Sequence, residues 1–241
     1  MAEFAYDIRD LKFILKEWLN TEEVLNYGRF KENYSLADVD FILNEAYKIA
    51  REVIYPVNRE GDKTGVKFEN GAVKLPPGYK EAYKFLQESG WGSANESLAS
   101  ETQMPLILFR AYYEMFMAAC PALCSYIKLT TGATNLIYRF GTQKDKELFL
   151  EKMLSGRWSG TMCLTEPHAG SDVGEASTRA YPTGDPRIYK IKGTKMFITG
   201  GETDMTENII HMVLARPAGG APGTKGLGLF IVPKIWVNDD G

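Results

Sequence analysis

The spacing of apolar residues changes once along the chain, near Arg157, and this change restricts the possible folds more than any other feature. Before Arg157, apolar side chains recur at helical spacing over long segments. After it, short runs rich in β-branched and aromatic residues alternate with glycine- and proline-containing turns. Helices followed by strands indicate an α+β fold. We expect an all-α helical domain over residues 1–156 and an antiparallel β-domain over residues 157–241.

Local signals predict the helix boundaries in the first part of the chain. The segment from Phe4 to Trp18 has helical apolar spacing. Ser35 and Asp38 have the spacing of a helix-capping pair, and they open a helix that Pro56 is expected to end or kink. Further helices are expected at 77–90, 105–119, 121–140 and 142–155, and Thr142 is expected to cap the last of them.

Strands are predicted mainly in the second part. The dipeptide Asn70-Gly71, between alternating residues, is the exception, because it predicts a β-hairpin within the helical part. The expected strands of the β-domain lie near 157–165, 176–181, 187–192, 194–199, 208–216 and 226–232.

The composition excludes several classes of protein. A net charge of −3 provides no basic excess, so we expect no nucleic-acid partner. Three cysteines without framework spacing favour reduced thiols and a cytoplasmic location. Charged residues at the N-terminus argue against a signal peptide, and no apolar stretch reaches the ~20 residues that a membrane-spanning helix needs.

A loop rich in turn residues interrupts the predicted strand at 157–165. Pro167 fixes φ and removes a backbone donor, while Gly170 permits a positive φ. Such a loop can present backbone N–H groups and the hydroxyls of Thr165 and Ser171 to carbonyl or phosphate oxygens. A purely structural turn has the same composition.

Two sequence blocks carry a more specific signal. The first reads Cys163-Leu164-Thr165-Glu166-Pro167, one further residue, then Ala169-Gly170-Ser171-Asp172-Val173; the second reads Gly193-Thr194-Lys195-Met196-Phe197-Ile198-Thr199-Gly200. In residue identity, order and approximate spacing, both blocks resemble the acyl-CoA dehydrogenase family. The resemblance covers nearly the whole chain as an N-terminal and middle portion of the family. The flanking sequence is most similar to the larger members that act on 3-methylmercaptopropionyl-CoA or long-chain fatty acyl-CoA.

The resemblance implies an FAD site. Thr165 and its neighbours would hydrogen-bond the flavin ring, an aromatic residue in the second block would cover one face of the ring, and Ser171 would also lie near the substrate. Donors near a flavin stabilise the charge that arrives with a hydride. The cofactor-binding residues implied are Met162, Cys163, Leu164, Thr165, Ser171, Phe197, Ile198 and Thr199. Ordinary strand and turn roles remain open for Thr165, Thr199 and Ser171.

Other reactive side chains are not assigned to chemistry. His168 is interpreted as a loop residue and His211 as a structural or surface residue. The cysteines lack nearby partners for a zinc site, so no metal is expected. The apolar, Met-containing helices over residues 105–140 are core candidates that could also line an acyl channel.

The chain departs from the family pattern in two ways. Residues 96–103 replace a glycine-rich segment that relatives often have, which affects the expected substrate entrance. The family's C-terminal helical domain, which carries the catalytic carboxylate, part of the FAD site and the main oligomer interface, has no counterpart before Gly241. No glutamate here matches the catalytic base. We therefore expect a flavin half-site that binds FAD weakly and no catalytic residue in this chain.

Several functions remain open. In the complete family enzyme, acyl-CoA thioesters undergo FAD-dependent α,β-dehydrogenation. The chain could be a fragment of such a larger flavoenzyme, or a non-catalytic module that binds a fatty acyl group or acyl-CoA. An oxidase that passes electrons to oxygen would have the same motifs. The expected partners are an acyl-CoA or fatty acyl ligand and either a homo-oligomer or the missing domain.

Overall fold

The computed structural model describes residues 4–241. Helices dominate the first part of the chain. They are α1 (Ile8–Phe13), α2 (Thr21–Leu25), α3 (Leu36–Ile49), α4 (Tyr55–Thr64), α5 (Tyr79–Glu88), α6 (Leu106–Ala119), α7 (Pro121–Phe140) and α8 (Gln143–Leu154). The strands are β1 (Lys67–Glu69), β2 (Ala72–Lys74), β3 (Trp158–Cys163), β4 (Arg179–Pro182), β5 (Tyr189–Lys192), β6 (Asn208–Pro217) and β7 (Gly228–Pro233).

Capping residues start two of the helices, as predicted. The backbone N–H of Ser35 donates to Asp38 Oδ2 at 2.7 Å at the start of α3. Thr142 and Asp145 form the same box at the start of α8, where the Thr142 N–H donates to Asp145 Oδ2 at 2.8 Å. Each carboxylate satisfies a backbone donor that the helix itself cannot pair.

The helical path continues past Pro56, which was expected to end or kink it. A π-helical segment, Ala50–Ile54, follows α3 and leads directly into α4. Pro56 then lies in the first turn of α4, where a missing N–H costs no intrahelical bond. The predicted end is therefore replaced by a change of helix type.

The Asn70-Gly71 hairpin is confirmed. Both residues have positive φ, 53° and 79°, as the tight turn between β1 and β2 requires. The next helix, α5, begins at Tyr79 rather than at Pro77, because Gly78 adopts a left-handed conformation immediately before it.

The α+β class is confirmed, but the second sheet is mixed rather than wholly antiparallel. Strand β6 pairs in parallel with β3, from Trp158↔Asn208 to Cys163↔Val213, and also in parallel with β4. Only β4–β5 and β6–β7 are antiparallel pairs. The physical reason is connection length: β3 and β4 each reach β6 through a long connection, which allows parallel pairing.

Five of the predicted strands of the β-domain are present, although the one at 176–181 starts later than expected. The predicted strand at 194–199 is wrong, because this segment is an irregular loop. Phe197 has a φ of 57°, which a regular strand does not permit. The apolar alternation of Met196 and Ile198 therefore arises in a loop.

Two clusters of buried residues hold the elements together. The larger lies among the helices and includes Leu108, Tyr112, Met115 and Phe116 of α6 with Leu123 of α7. The smaller joins α7 and α8 to the sheet, and its members are Ala133, Ile137, Phe149, Met153, Trp158, Ile210 and Met212. The division into domains 1–156 and 157–241 stays a prediction. In the part of the chain that the structure describes, no helix is long and apolar enough to cross a membrane.

Candidate functional site

The two sequence blocks, which begin 30 residues apart in the chain, lie side by side in the structure. The first block leaves the end of β3, and the second lies in the connection between β5 and β6. The N–H of Met196 donates to the carbonyl oxygen of Thr165 at 2.9 Å. The Lys195 ammonium donates to the carbonyl oxygen of Leu164 at 3.0 Å. Both hydrogen bonds tie the second block to the first.

Glu166 is the most completely bonded side chain at this junction. It is 2% exposed and accepts hydrogen bonds from Ser177, through its N–H and its hydroxyl, both at 2.7 Å. The N–H of Thr178 and the ammonium of Lys195 donate to its other oxygen at 3.0 and 2.8 Å. Sequence reasoning did not single out Glu166 or Lys195, because only the folded chain brings their charges together.

The network determines the ionisation of Glu166. Burial on its own would raise the pKa of the carboxyl, since it disfavours the charged form. The hydrogen bonds from Lys195, Thr178 and Ser177 outweigh burial and hold the pKa well below its ordinary value. Glu166 is therefore a carboxylate at neutral pH, and its lone pairs are used within the protein.

Around this buried network, the two blocks present four residues that we call the ledge: Leu164, Thr165, Phe197 and Thr199. Thr165 is half-buried and the other three are exposed. Leu164 is 38% exposed and Phe197 is 84% exposed, high values for large apolar side chains. Within residues 4–241, the hydroxyls of Thr165 and Thr199 have no hydrogen-bond partner. The ledge therefore combines an uncovered aromatic ring with two available hydroxyls.

Backbone geometry beneath the ledge is specialised. Phe197 is one of two non-glycine residues with a positive φ among those described. Such a conformation costs of order 1–2 kcal/mol for a residue with a Cβ, and it is found where surrounding structure or function enforces it. Gly193 precedes the ledge at a close approach, since a Cβ there would lie 2.2 Å from the Thr178 hydroxyl oxygen.

The remaining predicted site residues are not part of the ledge. Ile198 is half-buried, and its carbonyl oxygen accepts from Gly201. Ser171 is exposed in the loop before a short 3₁₀ turn, and no hydrogen bond in the described chain joins it to the ledge. His168, interpreted as a loop residue, lies in that loop with Nε2 3.3 Å from the carbonyl oxygen of Glu175.

Met162 and Cys163 belong to β3, and Cys163 is 6% exposed. Its thiol lies 3.4 Å from the hydroxyl of Thr161, which is 2.7 Å from Nδ1 of His211. Burial raises the pKa of the Cys163 thiol, although the Thr161 hydrogen bond and Lys195 oppose the shift. The thiol is therefore protonated, and it contributes packing rather than a reactive thiolate.

The apolar, Met-containing helices over residues 105–140 contribute to the core, and a role in lining an acyl channel stays a prediction. Leu108, Met115, Leu123 and Ile127 are each 3% exposed or less, because they pack against neighbouring helices. An apolar cleft of about 440 Å³ lies between α1 and the start of α6, which is one of these helices. It is lined by Leu11, Ile14, Leu15, Leu19, Leu106, Ile107, Arg110, Ala111 and Glu114.

Comparison with known proteins gives this geometry a context. Residues 161–239 match the model of the acyl-CoA dehydrogenase middle domain. The chain is 43% identical over 241 residues to a butyryl-CoA dehydrogenase of Syntrophomonas wolfei, covering 99% of this chain and 40% of that protein. It is 37% identical over 238 residues to the 3-methylmercaptopropionyl-CoA dehydrogenase of Ruegeria pomeroyi, covering 97% and 40%. The chain is therefore similar to acyl-CoA dehydrogenases over nearly its whole length, and residues 161–239 match the middle domain of that family.

A solved structure supports the fold of the chain. The acyl-CoA dehydrogenase of Geobacillus kaustophilus superimposes with a TM-score of 0.65 at 22% identity, over 84% of this chain and 49% of that one. The chain spans about 40% of the length of these two curated relatives.

The ledge suits the planar ring of a flavin, the cofactor that the family resemblance implies. An exposed Phe197 ring can stack on a planar aromatic system, and the hydroxyls of Thr165 and Thr199 can donate to ring nitrogens or carbonyl oxygens. The oxygens of Glu166 are occupied by its partners, and Lys195 compensates its negative charge.

Proposed function

We propose that this chain supplies one face of the FAD site of an acyl-CoA dehydrogenase, which introduces a double bond between the α and β carbons of an acyl-CoA thioester. The observation that carries the proposal is the ledge itself: Phe197 is 84% exposed, and its block is tied to the block of Thr165 by hydrogen bonds from Met196 and Lys195. A surface with one open aromatic ring and free donors is what a half-site for a planar cofactor requires.

The chain's own residues would bind and orient rather than transfer protons. FAD, when bound, would accept the β-hydrogen of the acyl group as a hydride. Thr165 and Thr199 would donate to the ring as negative charge develops on it, which stabilises that charge. Phe197 would exclude water from one face of the ring. No glutamate of this chain is assigned as the base that removes the α-proton, so that group would come from outside these 241 residues.

A flavin titration tests the proposal. We expect the isolated chain to bind FAD weakly, as a half-site should, and to show no acyl-CoA-dependent dye reduction. Phe197→Ala should weaken FAD binding by about fivefold, the equivalent of roughly 1 kcal/mol of aromatic contact. Thr165→Val should weaken it to a similar extent through the loss of one hydrogen bond. Isothermal titration calorimetry at high protein concentration measures both changes.

Phe68 provides a matched control, because it is 74% exposed in β1. Phe68→Ala should leave FAD affinity unchanged. Equal weakening by the two phenylalanine variants, or no FAD binding by the wild-type chain, would overturn the proposal. Robust turnover by the isolated chain would also contradict it, since a complete site would then be present.

The apolar cleft supports a second candidate, a module that binds a fatty acyl group. Its volume of about 440 Å³ and its largely aliphatic lining suit an acyl tail. Native mass spectrometry after purification, with solvent extraction, would detect such a ligand. Substitution of Ile107 by Asp should abolish the retained mass if the cleft holds the tail, whereas a ligand-free wild-type chain would remove this candidate.

The proposed partners follow from these sites. An acyl-CoA or fatty acyl ligand is the expected small molecule, and a second copy of the chain or a further domain would cover the open side of the ledge. The three cysteines are free and buried, which fits a reducing compartment such as the cytoplasm. Light scattering of the purified chain measures self-association, and a monodisperse monomer would exclude a second copy.

A further inference from the structure

We infer that Glu166 and Lys195 form a positioning pair that fixes the spacing between the two halves of the ledge. This inference rests on the proposed function and identifies the residues that arrange its site. The Glu166 carboxylate is fully buried and the Lys195 side chain is 10% exposed, and their charged atoms are 2.8 Å apart. Neither residue belongs to the ledge. Both are neighbours of ledge residues in the chain, so their positions affect where the ledge residues lie.

Lys195 has a bridging geometry. Its ammonium donates to the carbonyl oxygen of Leu164 and to the carboxylate of Glu166, the residues on either side of Thr165. Lys195 itself lies two residues before Phe197. One cation therefore defines where Thr165 of the first block stands relative to Phe197 of the second.

Few other contacts could fix this spacing. The hydrogen bonds that join the two blocks in the described structure are the Met196–Thr165 backbone bond and the two bonds from Lys195. No ladder of strand pairing links the blocks, because residues 194–199 form a loop. The side chain of Lys195 therefore contributes most of the connection.

Glu166 anchors the other end of the pair. Four donors converge on its two oxygens, from Ser177, Thr178 and Lys195. Only a carboxylate accepts from all of them, whereas a glutamine would turn an NH₂ group towards a donor. The anchor connects the ledge to the start of β4, since Thr178 immediately precedes that strand.

A buried ion pair is weak evidence of a contribution to stability alone, because apolar residues of similar volume often stabilise a protein equally well. The pair instead fixes the relative position of the two blocks, because the carboxylate has four donors and the cation has two acceptors in defined places. That property suits a site whose hydroxyls must meet a planar ring within a fraction of an ångström.

The test uses Lys195→Met, which keeps the aliphatic length and removes the cation, and Lys195→Arg, which restores it. Arg157→Met is the matched control, because Arg157 pairs with Glu207 on the exposed surface of the same sheet. Hydrogen exchange of the Met196 amide measures how often the Met196–Thr165 hydrogen bond opens, and it needs no flavin. FAD affinity, corrected for the folded fraction, measures whether the ledge keeps its binding geometry.

We expect Lys195→Met to accelerate exchange of the Met196 amide at least tenfold while the amides of β3 and β6 keep their protection. FAD affinity should fall about tenfold, and Lys195→Arg should recover most of both quantities. Arg157→Met should change neither. If Lys195→Met does not fold, Ser177→Ala provides a milder change to the same network, with smaller shifts in the same direction.

The outcomes separate the two proposals. Unchanged Met196 exchange in Lys195→Met, or accelerated exchange with unchanged FAD affinity of the folded protein, would overturn the positioning pair. Uniform loss of protection across the sheet would also overturn it, because the pair would then act on stability alone. No FAD binding by the wild-type chain would overturn the proposed function, while the exchange data would still decide whether Lys195 fixes the junction.

Discussion

The helical core and the ledge distribute apolar and charged side chains in opposite ways. In α6, Tyr112 and Phe116 are fully buried, and their rings are 5.2 Å apart in an edge-on arrangement. At the ledge, Phe197 is 84% exposed, while the charged Glu166 and Lys195 are buried beneath it.

This difference separates residues that maintain the fold from residues available to a ligand. Aromatic rings in the core already have partners, so the aromatic and Met-rich sequence of α6 is explained by packing alone. An exposed ring above a buried ionic network has no such explanation. Exposure of an apolar group together with burial of a charge therefore identifies the functional region better than apolar composition does.

The largest effect should come from the core. Phe116→Ala should reduce the free energy of unfolding by about 4 kcal/mol, because it leaves a cavity among well-packed rings. Urea unfolding followed by circular dichroism measures the change. Phe140→Ala, at a ring that is 77% exposed at the end of α7, should have an effect below about 0.5 kcal/mol. Equal losses for the two variants would contradict the assignment of α6 to a closed core.

A substitution at the ledge should increase stability rather than reduce it. Phe197→Gly should raise the free energy of unfolding by about 1 kcal/mol, since glycine adopts a φ of 57° without strain. FAD affinity should fall because the ring is lost. The same substitution at the exposed Phe68, which lies in β1, should lower stability by about 0.5–1 kcal/mol through backbone entropy. A destabilised Phe197→Gly variant would indicate that the ring packs within the fold.

The smallest effect concerns pH and a group next to the site. Burial lowers the pKa of His211, with Glu202 opposing the shift and Lys234 adding to it. The unfolded chain therefore binds a proton at a higher pH than the folded chain does. The contribution of neutral His211 to stability is fully present above the ordinary pKa of 6.5. It decreases as pH falls from there towards the lower pKa of the folded state.

The His211→Gln variant removes the titration, so its unfolding free energy should lose this dependence between pH 7 and pH 5. The neighbouring Thr161 and Cys163 do not titrate in that range, which leaves the histidine as the group that the comparison isolates. A wild-type chain that becomes more stable on acidification over this range would contradict the direction of the shift.

Signals that act over a few residues predicted the structure well. The Ser35–Asp38 cap, the Thr142 cap and the Asn70-Gly71 turn depend on adjacent backbone geometry, and all three are confirmed. The predicted strand at 194–199 is wrong because its alternating residues have separate structural roles in a loop. Lys195 turns towards a buried carboxylate, and Phe197 occupies a positive φ.

For the candidate site, the sequence located the two blocks but not the pair that joins them. Glu166 and Lys195 are separated by 28 intervening residues, and a charged residue in a loop is ordinarily a solvent-exposed one. Their burial depends on Ser177 and Thr178, which supply three of the four donors to the carboxylate. A single sequence contains no local signal for such a convergence.

The parallel pairing of β3 with β6 has a consequence for how the chain folds. Trp158 pairs with Asn208, and both sequence blocks lie within the segment that this pairing closes. Bringing the ends of such a long segment together costs chain entropy, and contacts distant in sequence slow folding. During synthesis, β3 cannot gain this neighbour until β6 has been made. A nascent chain that stops before β6 would lack the strand that lies between β3 and β4 in the sheet.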